Sequence, residues 1–301
     1  MVNQEISWKD GLGEQAAFYR SHPLLNFTYF AFIIGVTMFS NHPLFLGLSF
    51  VMAWCYSIVL RGVRAVRFNC LVLLPALVLT VLLNTLNVHN GVTVLFYLNG
   101  NRITLEAIVY GCFSALMLTS VIIWFSCFGA IVTEDKFIYI FGRIAPVIAL
   151  TLSMILRYIP LLKNRFLEVS AAQRCMGRGG DTSVIAKIRR FGKEVSILIA
   201  WSLEASIESA DSMEARGYGL HGRTSFHLFR LAGADCWILV LMLLLGGISA
   251  AACVMGQTNI YYYPTILFPP VSFVQGVSLA AFWLLMLTAV VLDIRGMRQW
   301  N

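Results

Sequence analysis

The sequence is poor in charge: only 12% of its 301 residues are Asp, Glu, Lys or Arg, about half the share of an average soluble domain. With 58% hydrophobic residues and a mean hydropathy of +0.76, that scarcity excludes an ordinary soluble domain and places the chain in the membrane class. Paired cysteines are missing too. The seven cysteines, at 55, 70, 112, 127, 175, 236 and 253, contain no CxxC and lie mostly in apolar runs, so they read as small core residues rather than a zinc or disulfide framework. No GxxxxGK[ST] loop exists, because Gly192-Lys193 is followed by Glu194; this excludes nucleotide hydrolysis by the P-loop route. Gly217-Tyr-Gly-Leu-His-Gly222 matches GxGxxG, but it follows a helical pattern and not a strand, which excludes a dinucleotide site. The histidines at 22, 42, 89, 221 and 227 show no HExxH spacing. The polar first twenty residues lack the apolar core and cleavage site of a secretory signal. Apart from Glu106, Asp235 and Asp293 at the margins, the apolar runs hold no acid, which argues against a self-powered carrier and an intramembrane hydrolase.

What is present is a series of apolar runs near the length of about 20 residues that a span needs. They cover Leu24–Ser40, Pro43–Leu60, Phe68–Leu86 with Pro75 as a kink point, Leu105–Phe128, Cys236–Met255 and Val271–Val291. Between the fourth and fifth, charges recur from Thr133 to Arg230. The chain therefore reads as an all-α polytopic membrane protein of about six transmembrane helices. Its parts are an N-terminal transmembrane region of four spans (1–132), a helical cytoplasmic module (133–232) and a C-terminal transmembrane hairpin (233–301).

The net charge is +7, but the basic residues sit between spans, which points to membrane sidedness rather than to nucleic acid. Of the 22 Lys and Arg, 21 fall on one side of a six-span topology, and only Arg102 falls on the other. Positive-inside bias then puts both termini and the central module in the cytoplasm. Of the outer loops, 88–104 has two Asn-Gly turn signals around a β-branched and aromatic run, as in a small hairpin. The loop 257–270, with Tyr261–Tyr263, reads as an interfacial aromatic anchor.

Within the module, Ile144–Leu162 is nearly apolar and is expected to lie in or near the interface, because a seventh span would carry the remaining basic residues outside. Two amphipathic helices follow, Leu161–Met176 and Val184–Arg216, with Gly192 as a point where the second can divide. At about 100° per residue, Glu204, Glu208 and Asp211 form one stripe. Ser202, Ser206, Ser209 and Met213 lie opposite. Small residues allow close helix crossing, and Ser170, Ala171 and Ala172 of the preceding helix offer the matching face. Both helices end in Arg-Gly, at Arg178-Gly179 and Arg216-Gly217. A C-terminal glycine with a neighbouring cation is an ordinary helix end. It also suits an Arg projecting into a carboxylate-lined groove, which a guanidinium fork fills better than Lys.

Arg157-Tyr-Ile-Pro160, Ala172-Gln173-Arg174 and above all Met213-Glu-Ala-Arg-Gly-Tyr218 resemble the transmembrane T component of energy-coupling factor transporters, the EcfT/CbiQ family. The resemblance implies a non-catalytic scaffold of an ATP-driven importer of vitamins or transition-metal ions in a prokaryotic cell membrane. This chain would bind no cofactor; ATP and Mg would be held by two partner ABC ATPases. A separate substrate-binding S component would pack in the membrane. Carried onto this sequence, Ala215, Arg216 and Gly217 form an intact ATPase-docking motif. The first motif departs from the usual pattern: Gly177, Arg178 and Gly179 are its best match, and Arg174 is the alternative. A conventional permease subunit that itself conducts substrate is the competing reading. An intramembrane enzyme lacks a nucleophile–base or metal-ligand pair.

Overall fold

A computed structural model describes residues 17–88, 91–98, 101–142, 145–178, 183–218, 220, 233–260, 262 and 272–300. By internal packing the chain divides into two units, residues 1–137 with 229–301, and residues 138–228.

The first unit begins with α1 (Ala17–Arg20), α2 (Pro23–Phe39) and α3 (Pro43–Arg61). Two His-Pro pairs start α2 and α3. Proline at the first helical position gives up an N–H that would be orphaned anyway. His22 Nδ1 accepts from Leu24 N at 3.3 Å, and His42 Nδ1 accepts from Leu44 N at 3.2 Å. An accepting Nδ1 requires a neutral ring, and burial lowers the pKa of both histidines, with Asp235 partly opposing this at His22. Next, α4 (Val63–Phe68) passes through a π-helical segment (Asn69–Leu73) into α5 (Leu74–Asn87). Pro75 removes a backbone donor and crowds the preceding turn; the π segment just before it is where the helix takes up that misfit.

An antiparallel hairpin of β1 (Val94–Leu98) and β2 (Asn101–Thr104) leads into α6 (Leu105–Ile131). Thr104 is its N-cap and accepts from Ala107 N at 3.4 Å. Glu106 turns back to the incoming loop and accepts from both the N–H and the hydroxyl of Thr93. After the start of α7 (Glu134–Gly142), the unit resumes with α10 (Gly233–Val254) and α11 (Phe273–Trp300).

Helix α2 is the interior element of this unit, packing on α6 and α10, while α3 and α5 both pack on α6. The core is aromatic. Tyr29, Tyr56, Trp124, Phe30, Phe18 and Phe282 are all buried, with edge-on contacts such as Tyr29–Trp124 at 6.2 Å and Phe30–Phe128 at 5.5 Å. Several polar groups beside this aromatic core are paired with one another, as a lipid environment favours. Trp124 Nε1 donates to Ser49 Oγ at 3.0 Å, and Ser49 bonds Thr37 at 2.8 Å. Where α2 meets α10 the approach relies on glycine: the Phe32 ring lies so close to Gly246 that an added Cβ would overlap it.

The second unit holds α8 (Pro146–Gln173), a π-helical segment (Arg174–Arg178) and α9 (Val184–Ala215). Two expectations about its helices are corrected. A helix over 144–162 followed by another from 161 is instead one continuous helix, with Pro160 inside it. Gly192 does not divide α9.

Six helical runs among the described residues are long and apolar enough to cross a membrane: Pro43–Arg61, Ala65–Asn87, Leu105–Ile131, Pro146–Met176, Gly233–Val254 and Phe273–Asp293. Their number agrees with expectation, but their membership differs. Pro146–Met176 qualifies by length because α8 runs on through Pro160. The expected first span is the 17-residue α2, roughly 26 Å at 1.5 Å per residue against a hydrocarbon core of about 30 Å. Its neighbours cover what its length lacks: Leu25, Tyr29, Phe30, Ile33 and Val36 are all buried. Tyr262, expected at the lipid interface, also faces inward. Its hydroxyl donates to Asn41 O at 2.7 Å and its ring meets Tyr110 and Phe113, and burial raises its pKa to about 12.

Candidate functional site

The Arg-Gly end of α9 is built by its backbone. Gly217 adopts φ +76, the left-handed conformation that glycine enters without a Cβ penalty. That turn brings Tyr218 N to Met213 O at 3.0 Å and Gly217 N to Glu214 O at 2.9 Å, the paired bonds of a Schellman motif. A Cβ on Gly217 would stand 3.0 Å from Leu220 Cδ1. Arg216 is the C-cap residue, with φ −86 and ψ 6. Its side chain is exposed and contributes nothing to the bonds that close the helix. The glycine therefore has a structural task, and the arginine is left projecting from the tip.

The other helix end is less regular. Arg174 is the C-cap of α8 and is exposed. Here the backbone widens into the π-helical turn Arg174–Arg178. The backbone of Gly177 and Arg178 lies in that turn, whereas their side-chain environment and Gly179 lie outside the described residues.

Helices α8 and α9 meet through larger side chains. Tyr158 Oη bonds Ser209 Oγ at 2.9 Å, Phe166 packs edge-on against Phe191 at 6.1 Å, and the Arg165 guanidinium lies 5.0 Å from the Trp201 ring centre. Of the small residues singled out for a crossing, Ser170 is buried. Ser202 and Met213 are half-buried, and Ser206, Ser209, Ala171 and Ala172 are exposed. Ser209 thus meets α8 at Tyr158. Glu204, Glu208 and Asp211 are exposed, as are Leu203 and Ile207 beside them. The C-terminal half of α9 accordingly presents an acidic stripe, two large aliphatic side chains and a terminal arginine on a surface with little burial of its own.

Sequence reasoning missed a buried polar assembly in the first unit. Asp293 is 0% exposed; it accepts from Phe18 N at 2.7 Å and from Tyr56 Oη at 3.3 Å. Lys136, counted above among the module's cations, is only 3% exposed. Its ammonium donates to Tyr19 O and, at 3.0 Å, to Ile131 O, and it lies 4.5 Å from the Tyr19 ring centre. With its amide oriented to satisfy both neighbours, Asn26 accepts from Lys136 Nζ at 2.8 Å and donates to Phe18 O at 3.0 Å. Burial lowers the Lys136 pKa to about 8. The sequence signal was limited to an acid and a base at span margins; apart from Ile131, their partners are remote in the chain. A mostly apolar cleft of about 380 Å³ also lies between α2 and α10, lined by residues that include Phe32, Gly35, Phe39 and Ala250.

Residues 19–228 match the family model described as CbiQ, cobalt transport protein. The energy-coupling factor transporter transmembrane protein EcfT of Lactobacillus helveticus (strain DPC 4571) is 33% identical over 103 residues, which are 34% of this chain and 37% of that protein. The chain thus spans little more than a third of that relative's length. The family match begins within α1, runs through α9 and the Met213–Tyr218 tip, and stops before α10.

Proposed function

The chain belongs to the CbiQ cobalt transport protein family, and from that membership we propose that it is the non-catalytic coupling subunit of an ATP-driven importer. In this reading α2, α3, Ala65–Asn87, α6, α10 and α11 cross the membrane, and α8 lies at the interface. Both termini and the second unit face the cytoplasm. Two ABC ATPases dock on the second unit, bind ATP and Mg, and supply the motion. A separate S component carries the vitamin or metal ion.

The observation that supports this best is the α9 tip. Its cap closes through backbone alone, which leaves the Arg216 guanidinium available for a bidentate contact with a partner carboxylate. Ala215, Arg216 and Gly217 form the principal docking motif. Gly177, Arg178 and Gly179 form the second, with Arg174 as the other arginine available at that end. Exposed Leu203 and Ile207 add apolar surface of the kind a partner covers. Of the small residues expected at the crossing of the two helices, Ser209 serves it by bonding Tyr158 of α8.

Affinity purification of the tagged chain from its native membranes tests the reading. Recovery of two ABC ATPase chains and a further small membrane protein is expected. Recovery of ATPases with no further membrane subunit, combined with substrate binding by this chain, would favour a conventional permease instead.

A further inference from the structure

The first of the two chain crossings between the units falls inside α7, between Phe137 and Ile138. One residue earlier stands Lys136, held by groups from three other places. Tyr19 O comes from α1, Asn26 from α2 and Ile131 O from the end of α6. Among the described residues no carboxylate pairs with it. A buried ammonium without a counter-ion is a costly way to pack a helix, by several kcal/mol before compensation, and Met or Leu would fill the space without that cost. What the ammonium supplies is directed bonding to three elements at once. The network extends further. Phe18, next to Tyr19, gives its N–H to Asp293 of α11, and Asp293 also accepts from Tyr56 of α3. The root of α7 is thereby tied directly to α1, α2 and α6, and through α1 to α3 and α11.

We propose that Lys136 is a positioning residue for energy coupling: it clamps the root of α7 to the membrane unit, so that displacement of the helical second unit is delivered into the bundle instead of being lost in a loose connection. This rests on the coupling role proposed above. A rigid helix transmits displacement only if one end is fixed, and the unit boundary lies next to the fixed end.

The test uses the complete transporter reconstituted in liposomes, with ATP hydrolysis and substrate uptake measured on the same preparation. Lys136→Met keeps the length and apolar body of the side chain and removes all three bonds. The expected result is retained ATPases and hydrolysis, with uptake per ATP reduced about tenfold or more, the scale of one lost charged hydrogen bond. Asn26→Leu removes one of the three bonds to Lys136, together with the Asn26 bond to Phe18 O, and leaves the ammonium its two carbonyl acceptors, so it should give a smaller loss. Combined with Lys136→Met it should add nothing, because both act on one clamp. Unchanged uptake per ATP in assembled Lys136→Met complexes overturns the proposal. So does a loss of assembled complex in which the remainder stays fully coupled, since that is a purely structural role. If Lys136→Met fails to assemble, Asn26→Leu decides: normal coupling there also overturns it. Absence of ATPases from the wild-type complex would count against the coupling role itself, before any variant is made.

Discussion

Truncating Arg216 to Ala should separate the two tasks of the α9 tip. The cap bonds, Tyr218 N to Met213 O and Gly217 N to Glu214 O, are backbone bonds and survive the change. What the folded chain loses is a cation near the C-terminal dipole, worth about 0.3–1 kcal/mol at an exposed site, and the high helix propensity of Ala offsets part of that. Melting of the isolated chain should therefore hardly move. Docking should respond differently. Removing one partner of a buried, hydrogen-bonded charge pair costs about 2–5 kcal/mol, so ATPase affinity should fall roughly thirtyfold to several thousandfold. Arg216→Lys keeps the charge but loses the planar fork, and should lie between. Gly217→Ala is the control of opposite character. Its φ of +76 costs an L-residue about 1–2 kcal/mol, so the helix end and the affinity should weaken together. The assay is ATPase binding to the chain in nanodiscs, paired with thermal unfolding. Less than about a threefold loss of affinity in Arg216→Ala, or a loss matched by an equal loss of stability, would refute the reasoning.

Other perturbations follow from the packing of the first unit. In Gly246→Ala, a Cβ overlapping the Phe32 ring should force α2 and α10 apart and cost about 1–3 kcal/mol, read as a lower melting temperature. Asp293→Leu should strand Phe18 N and Tyr56 Oη without an acceptor, at about 1–3 kcal/mol each, while Asp293→Asn should lose less because one oxygen remains; thermal unfolding of the two variants gives the order. Burial holds Lys136 near 8 instead of its ordinary 10.5. Between those values the unfolded chain binds a proton that the folded chain does not, so stability should rise with pH across that window. The gain is at most about 3 kcal/mol, and Lys136→Met should abolish it. A wild-type and variant difference that stays flat from pH 8 to 10 would refute this.

The sequence made the helices legible because hydropathy and capping are local. The His-Pro starts of α2 and α3, the Asn-Gly-flanked hairpin and the glycine end of α9 each depend on a few adjacent residues. Pro160 and Gly192 misled for the opposite reason. Each is a local breaking signal, yet α8 runs through one and α9 through the other. Similarly, α2 reads as a short first span, and only packing reveals it as the buried centre of its unit. The Arg216-Gly217 tip was visible as a motif, but a motif could not say which of its two residues closes the helix. The φ of Gly217 and the two backbone bonds assign that task to the glycine.

By itself the sequence determined the membrane class, the apolar runs, the gathering of basic residues between them and the tip motif, since composition, period and spacing carry all of these. Only the tertiary structure decided that Lys136 and Asp293 are interior groups. Their partners lie 117 and 275 residues away in the chain. A lone Lys or Asp at a span margin looks like a solvated end until folding brings Tyr19, Asn26, Phe18 and Tyr56 around it, and burial makes each of those bonds obligatory.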